Sequence, residues 1–195
     1  MYQFTKNPAP GNMPSTLGKL NLRIAGFSRQ HIVSIDQIVR AIDILPCFHL
    51  EGLREIVYAP EWLENNTPRS WGNKKGEFRQ KERKIIFFDF DHAGLFHQIL
   101  YHEIGHFVFF LTLNSKVKKQ WVTEIFPNSD CITPYGAMNA SEDFAESYAS
   151  YVRNPDALKQ LPIKFAFMRD RVFSGKADTL KEKIKDSGTR IHKRE

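Results

Sequence analysis

The chain has 195 residues, 42% hydrophobic and 26% charged, with a net charge of +6; these are the proportions of an ordinary soluble globular protein, large enough to bury a core without covalent staples. Its two cysteines, Cys47 and Cys131, exclude a disulfide framework and a cysteine-built zinc site, leaving at most one bridge. The positive charge favours acidic partners but does not dictate a fold.

Residues 1–20 are rich in Pro, Asn, Gly and Ser and predict a flexible arm. They lack the basic start, apolar run and small-residue cleavage site of a conventional secretory signal, so the expectation is a cytoplasmic protein or one exported by another route, and localisation stays open. A single domain is expected over 21–175. Within it, Ser34 precedes Ile35, Ile38, Val39 and Ile42, whose helical recurrence runs until Pro46. Two β-branched and aromatic runs, 53–58 and 84–90, read as strands. Between them the segment 69–84 carries seven basic residues against two acidic ones and reads as a solvated loop or hairpin guarding a strand edge. The alternative for it is a site for acidic substrate flanks. Trp71 and Phe78 are the only aromatics among these charges and no groove-reading motif is present, which argues against nucleic-acid binding.

Three further helices are expected: 95–113, 140–153 (closed by Asn154-Pro155) and 162–173, with Pro162 in its first turn. The stretch 114–138 contains Pro, Asn and Gly and reads as irregular. The segment 95–113 is the longest apolar run, yet His97, Gln98, His102, Glu103 and His106 interrupt it, which excludes an unsupported membrane span. After Gly175 comes a charged tail, 176–195. Few strands followed by several helices predict an α+β layout around one core.

The chemistry concentrates in His102-Glu103-Ile104-Gly105-His106. Spacing of i and i+4 on a helix sets both imidazoles on one face, able to grip one Zn2+, with Glu103 placed to take a proton from water. The rest of this helix is apolar, and burying two histidines and a glutamate there is costly unless a cation compensates. A catalytic zinc needs a third protein ligand. Two glutamates follow: Glu124, with Pro127 three residues on, and Glu142, inside a convincing helix. Glu142 and Glu146 share a helix face, where two like charges call for a cation or donor opposite. Metal for Glu142 and an imidazole N–H for Glu146 answer that need. The competing reading of Glu142 is a capping box begun by Asn139. Tyr135 stands seven residues before Glu142 and, by itself, is an ordinary loop tyrosine.

HEIGH at 102–106, a tyrosine at 135 and EDFAE at 142–146 together resemble the zinc peptidase family that includes the anthrax lethal factor catalytic domain and the Pro-Pro endopeptidases. The resemblance spans roughly 53–173. It implies a zincin-like fold, with a small mixed sheet packed on the active-site helix and a helical C-terminal part. It implies His102, His106 and Glu142 as zinc ligands, Glu103 as general base, Tyr135 as oxyanion stabiliser and Glu146 as partner to a ligand imidazole. Asp143 departs from the family, whose members usually carry an aromatic or apolar residue there; it is expected to point away from the metal. The function implied is a monomeric zinc endopeptidase acting on an extended protein or peptide substrate along an edge strand, for which 85–90 is the best candidate. The alternative is a catalytically silent zincin-fold binding protein that engages a macromolecular partner through its basic surface.

Overall fold

A computed structural model of the protein describes residues 20–61 and 74–174. The expected arm (all but Leu20), the tail 176–195 and the part of the basic segment that holds Arg69 and Trp71 lie outside the described residues. Strands β1 (Arg23–Ala25), β2 (Glu55–Tyr58), β3 (Gly76–Arg79) and β4 (Lys84–Phe87) form one sheet in the order β1-β2-β4-β3. β1 and β4 run parallel to β2, while β3 is antiparallel to β4, with Gly76 opposite Phe87 and Arg79 opposite Lys84. The layout is α+β, as expected.

One expectation is corrected here. The run 85–90 is not the sheet edge: β4 lies between β2 and β3, and among the described strands the edge beside it is β3. The physical reason was present in composition. Ile85, Ile86, Phe87 and Phe88 are all buried, the continuous apolar run of a strand covered on both faces, whereas β3 is short, polar and half-buried.

Helix α1 (Ile35–Asp43) begins at a reciprocal capping box between Ser34 and Gln37. Helix α2 (Ala93–Phe107) is capped by the His92 side chain, which accepts from Leu95 N–H, and continues as a π-turn over Val108–Thr112. The stretch 114–138 is more ordered than its composition suggests. Asn114 caps helix α3 (Ser115–Gln120), which runs on through Trp121–Ile125 to a 3-10 turn at Phe126–Asn128. Pro127 falls in the first positions of that turn, where a missing N–H costs nothing. Fully buried Trp121 anchors the segment to the core.

Helix α4 (Ala140–Arg153) is followed by α5 (Pro155–Lys159) and α6 (Pro162–Phe167), the last extended by a π-turn over Met168–Val172. α2 lies across the sheet, where Phe96 stacks on Phe87 at 4.8 Å between ring centroids, and α4 packs along its other side. Cys47 and Cys131 are free thiols. Among the described residues no helix is long and apolar enough to cross a membrane.

Candidate metal centre

α2 and α4 approach unusually closely where Gly105 meets Ala145. A Cβ on Gly105 would sit 2.9 Å from Ala145 Cα and 3.2 Å from Tyr148 Cβ. A glycine inside a helix costs about 1 kcal/mol relative to alanine; here it lets two backbones close to a distance at which short carboxylate side chains of α4 reach the imidazoles of α2.

They do reach. The Nε2 atoms of His102 and His106 lie 3.1 Å apart, and Glu142 Oε2 lies 3.2 Å from each. Three lone-pair atoms in a near-equilateral triangle are mutually repulsive unless something positive joins them. Bonds of ~2.0–2.1 Å at tetrahedral angles separate ligand atoms by about 3.3 to 3.4 Å, close to the sides observed. The donor set therefore fits a small divalent ion, and His102, His106 and Glu142 form a group that could hold one. His102 is oriented for this: its Nδ1–H donates to Glu146 Oε1 at 2.7 Å, which turns Nε2 toward His106 and Glu142. His106 Nδ1 is buried without a hydrogen-bond partner among the described residues.

The electrostatics point the same way. Burial works to lower the His102 pKa, but hydrogen bonds to Glu142 and Glu146 and the nearby Glu103 charge outweigh it and lift the group to about 10. Burial likewise raises Glu142, and the two imidazoles overcome it and pull that carboxyl down to about 2. Glu146 is also held below its ordinary value, against its burial, mainly by His102. The carboxylates thus keep a proton on His102 in the place a cation would take. Glu103, in contrast, is pushed upward by burial, with the His102 and His106 charges opposing. A buried carboxyl with a raised pKa beside such a donor group is suited to exchanging protons.

All these groups line one cleft of about 500 Å³, together with Tyr135 and the β3 residues Gly76 and Phe78. Tyr135 is 52% exposed, with its ring centroid 5.8 Å from that of His102. β3 is pressed onto α2: a Cβ on Gly76 would lie 2.5 Å from Ile99 Cγ2 and 3.3 Å from Glu103 Oε1. Phe88 N–H donates to Lys75 O at 2.9 Å, so the antiparallel alternation turns Glu77 and Arg79 main-chain groups toward β4 and those of Gly76 and Phe78 outward. Ala59 N–H donating to Phe87 O on the β2 side fits this phase, because Phe87 is opposite Gly76. Among the described residues the Gly76 and Phe78 main-chain groups therefore lie along the sheet edge, with Phe78 N–H close enough to Glu103 to favour its charged form.

His102, Glu103, His106, Tyr135, Glu142 and Glu146 are thus gathered in one place. Glu124, the other candidate ligand, is not: it is exposed and pairs with Gln120 at 3.3 Å. The cap of α4 is Asn139 alone, accepting from Ser141 and Glu142 N–H, so the Glu142 side chain is free to face the imidazoles. Gly105 was missed as a functional position, although a glycine inside an apolar helix was a visible signal that something passes close by. Protein-family models, curated proteins and solved structures contain no match to the chain.

Proposed function

We propose that the protein is a zinc-dependent endopeptidase of the zincin type, with His102, His106 and Glu142 as ligands. The observation that carries this reading is the triangle of His102 Nε2, His106 Nε2 and Glu142 Oε2, with sides of 3.1 to 3.2 Å, opening onto a cleft that also holds Glu103 and Tyr135. Two nitrogens and one carboxylate oxygen, with a side open to solvent, are the donor set of a catalytic zinc rather than a structural one. When bound, zinc supplies Lewis acidity, polarising a carbonyl and making water nucleophilic near neutral pH.

The chain's own groups do the rest. An extended peptide aligns on the β3 edge by bonding to the main chain of Gly76 and to the Phe78 carbonyl, which presents its scissile carbonyl to the cleft. Glu103, its carboxyl pKa raised by burial, takes the proton of the attacking water and delivers it to the departing amine. The Tyr135 hydroxyl donates to the oxyanion as charge develops there. Glu146 keeps His102 in the tautomer that ligates.

Metal analysis of the purified chain, paired with cleavage profiling of a diverse peptide library with and without chelator, tests the assignment. Stoichiometric zinc and chelator-sensitive cleavage are expected. In Glu103→Gln zinc is retained while hydrolysis falls by about 10²- to 10⁴-fold, the usual worth of a positioned acid–base group. A variant that keeps full activity sinks the role of Glu103, and a metal-free wild type sinks the whole reading.

A further inference from the structure

Asp143 follows Glu142 in the first turn of α4, about 100° further round the helix, and faces the interior instead of the cleft. It meets the Lys164 ammonium of α6, which donates to Asp143 Oδ1 at 2.5 Å, and both side chains are fully buried. Other contacts converge on the pair. Gly136, next to Tyr135, backs onto Asp143 so closely that a Cβ there would lie 3.3 Å from Asp143 Cα and 3.4 Å from Oδ1. Cys131 lies on the same side, its Cβ 3.7 Å from where a Cβ on Gly136 would sit. Lys164 Nζ lies 5.8 Å from the ring centroid of Trp121, whose indole N–H donates to Ala140 O at the start of α4, at 2.9 Å.

An ion pair withdrawn from water is a poor source of stability, because matched apolar side chains usually do as well or better. What it provides is direction. Only one rotation of the first turn of α4 sets Asp143 against Lys164, and that rotation turns Glu142 toward His102 and His106. Shifting it would also displace the Gly136 turn and, with it, Tyr135.

We propose that Asp143 and Lys164 are positioning residues: their buried pair fixes the rotation of α4 that brings Glu142 into the donor triangle and holds the loop of Tyr135 against the cleft. The proposal rests on the zinc-site reading above. Neither residue touches the triangle itself, so their action is through Glu142 and Gly136.

The test compares wild type with the double variant Asp143→Leu/Lys164→Met, in which the charges are replaced together and no charge is left stranded. Thermal unfolding reports the fold and competition against a chelator reports the zinc dissociation constant. The double variant is expected to unfold at or above the wild-type temperature, yet to bind zinc about 10- to 100-fold more weakly, as when other groups that orient metal ligands are lost. At saturating zinc its kcat falls while KM for a cleaved peptide holds. A double variant that binds zinc as tightly as wild type, or that fails to fold, overturns the proposal, since the pair is then structural only. A wild-type chain that binds no zinc removes the metal reading and this one with it, and is seen first.

Discussion

At the scale of single residues, the site depends on a group that carries no functional atoms. Gly105 lets α2 and α4 touch, and alanine there would drive its methyl to 2.9 Å from Ala145 Cα. Backbone cannot yield as a flexible side-chain end can, so α4 must move outward. Gly105→Ala is expected to lower stability by about 1 to 3 kcal/mol, the usual range for overpacking, and to weaken zinc binding because Glu142 and Glu146 both ride on α4. Thermal unfolding and chelator competition on the same samples check it; a variant with weakened stability and unchanged zinc affinity contradicts the coupling. Tyr135 offers the opposite case, a residue whose loss should leave the metal alone. Tyr135→Phe keeps the ring beside His102 and deletes the hydroxyl, so zinc content stays stoichiometric while kcat falls by about 10²- to 10³-fold, as for removal of one oxyanion donor. Single-turnover cleavage separates that from a change in substrate binding.

At the scale of elements, the proposed function lays the peptide along β3. Its outward main-chain groups recur every second residue, so substrate amides in only one phase can donate to the carbonyls of Gly76 and Phe78. N-methylation of a cleaved peptide at alternate amides should therefore divide into two classes. One class leaves KM unchanged, and the other raises it by about 2- to 12-fold per blocked bond, the equivalent of one ordinary hydrogen bond. Equal effects in both phases exclude pairing with this edge. The helices α1, α2 and α4 were legible in the sequence because their signals are local: Ser34 before the apolar face of α1, HEIGH on α2, Asn154-Pro155 after α4. The edge was not. Which of two adjacent strands ends a sheet depends on partners far along the chain, and the polar 76–79, within a segment that reads as a loop or hairpin, has no apolar run like that of 84–90 to mark it as a strand. Likewise the irregular composition of 114–138 hid α3, since the burial of Trp121 that orders it comes from tertiary contacts. The partner of Asp143 lies 21 residues away on α6, beyond any local pattern.

At the scale of the whole molecule, the first and last parts of the described chain are tied together behind the site by His49. It is fully buried in the Cys47–His49 turn after α1. Neutral His49 donates Nε2–H to Val172 O at 3.0 Å, and its Nδ1 accepts from the Tyr148 hydroxyl of α4 at 2.9 Å. The ring also packs edge-on against Phe173, at 4.8 Å between centroids. Burial, opposed by the Val172 bond, lowers the imidazole from 6.5 to about 4. Between those values the unfolded chain takes up a proton that the folded chain refuses, so this group's contribution is full above the unfolded pKa and declines as pH falls toward 4. Integrated between pH 7 and pH 5 the decline is about 2 kcal/mol. His49→Gln keeps a polar side chain without a titrating proton. Urea unfolding of both proteins in excess chelator, which removes any contribution of metal release, should show wild type the more stable at pH 7, with its lead shrinking by that amount at pH 5. A lead that is constant over this range means that His49 stays uncharged in both states or charged in both, and the tie between the turn, α4 and the π-turn after α6 then has no acid sensitivity.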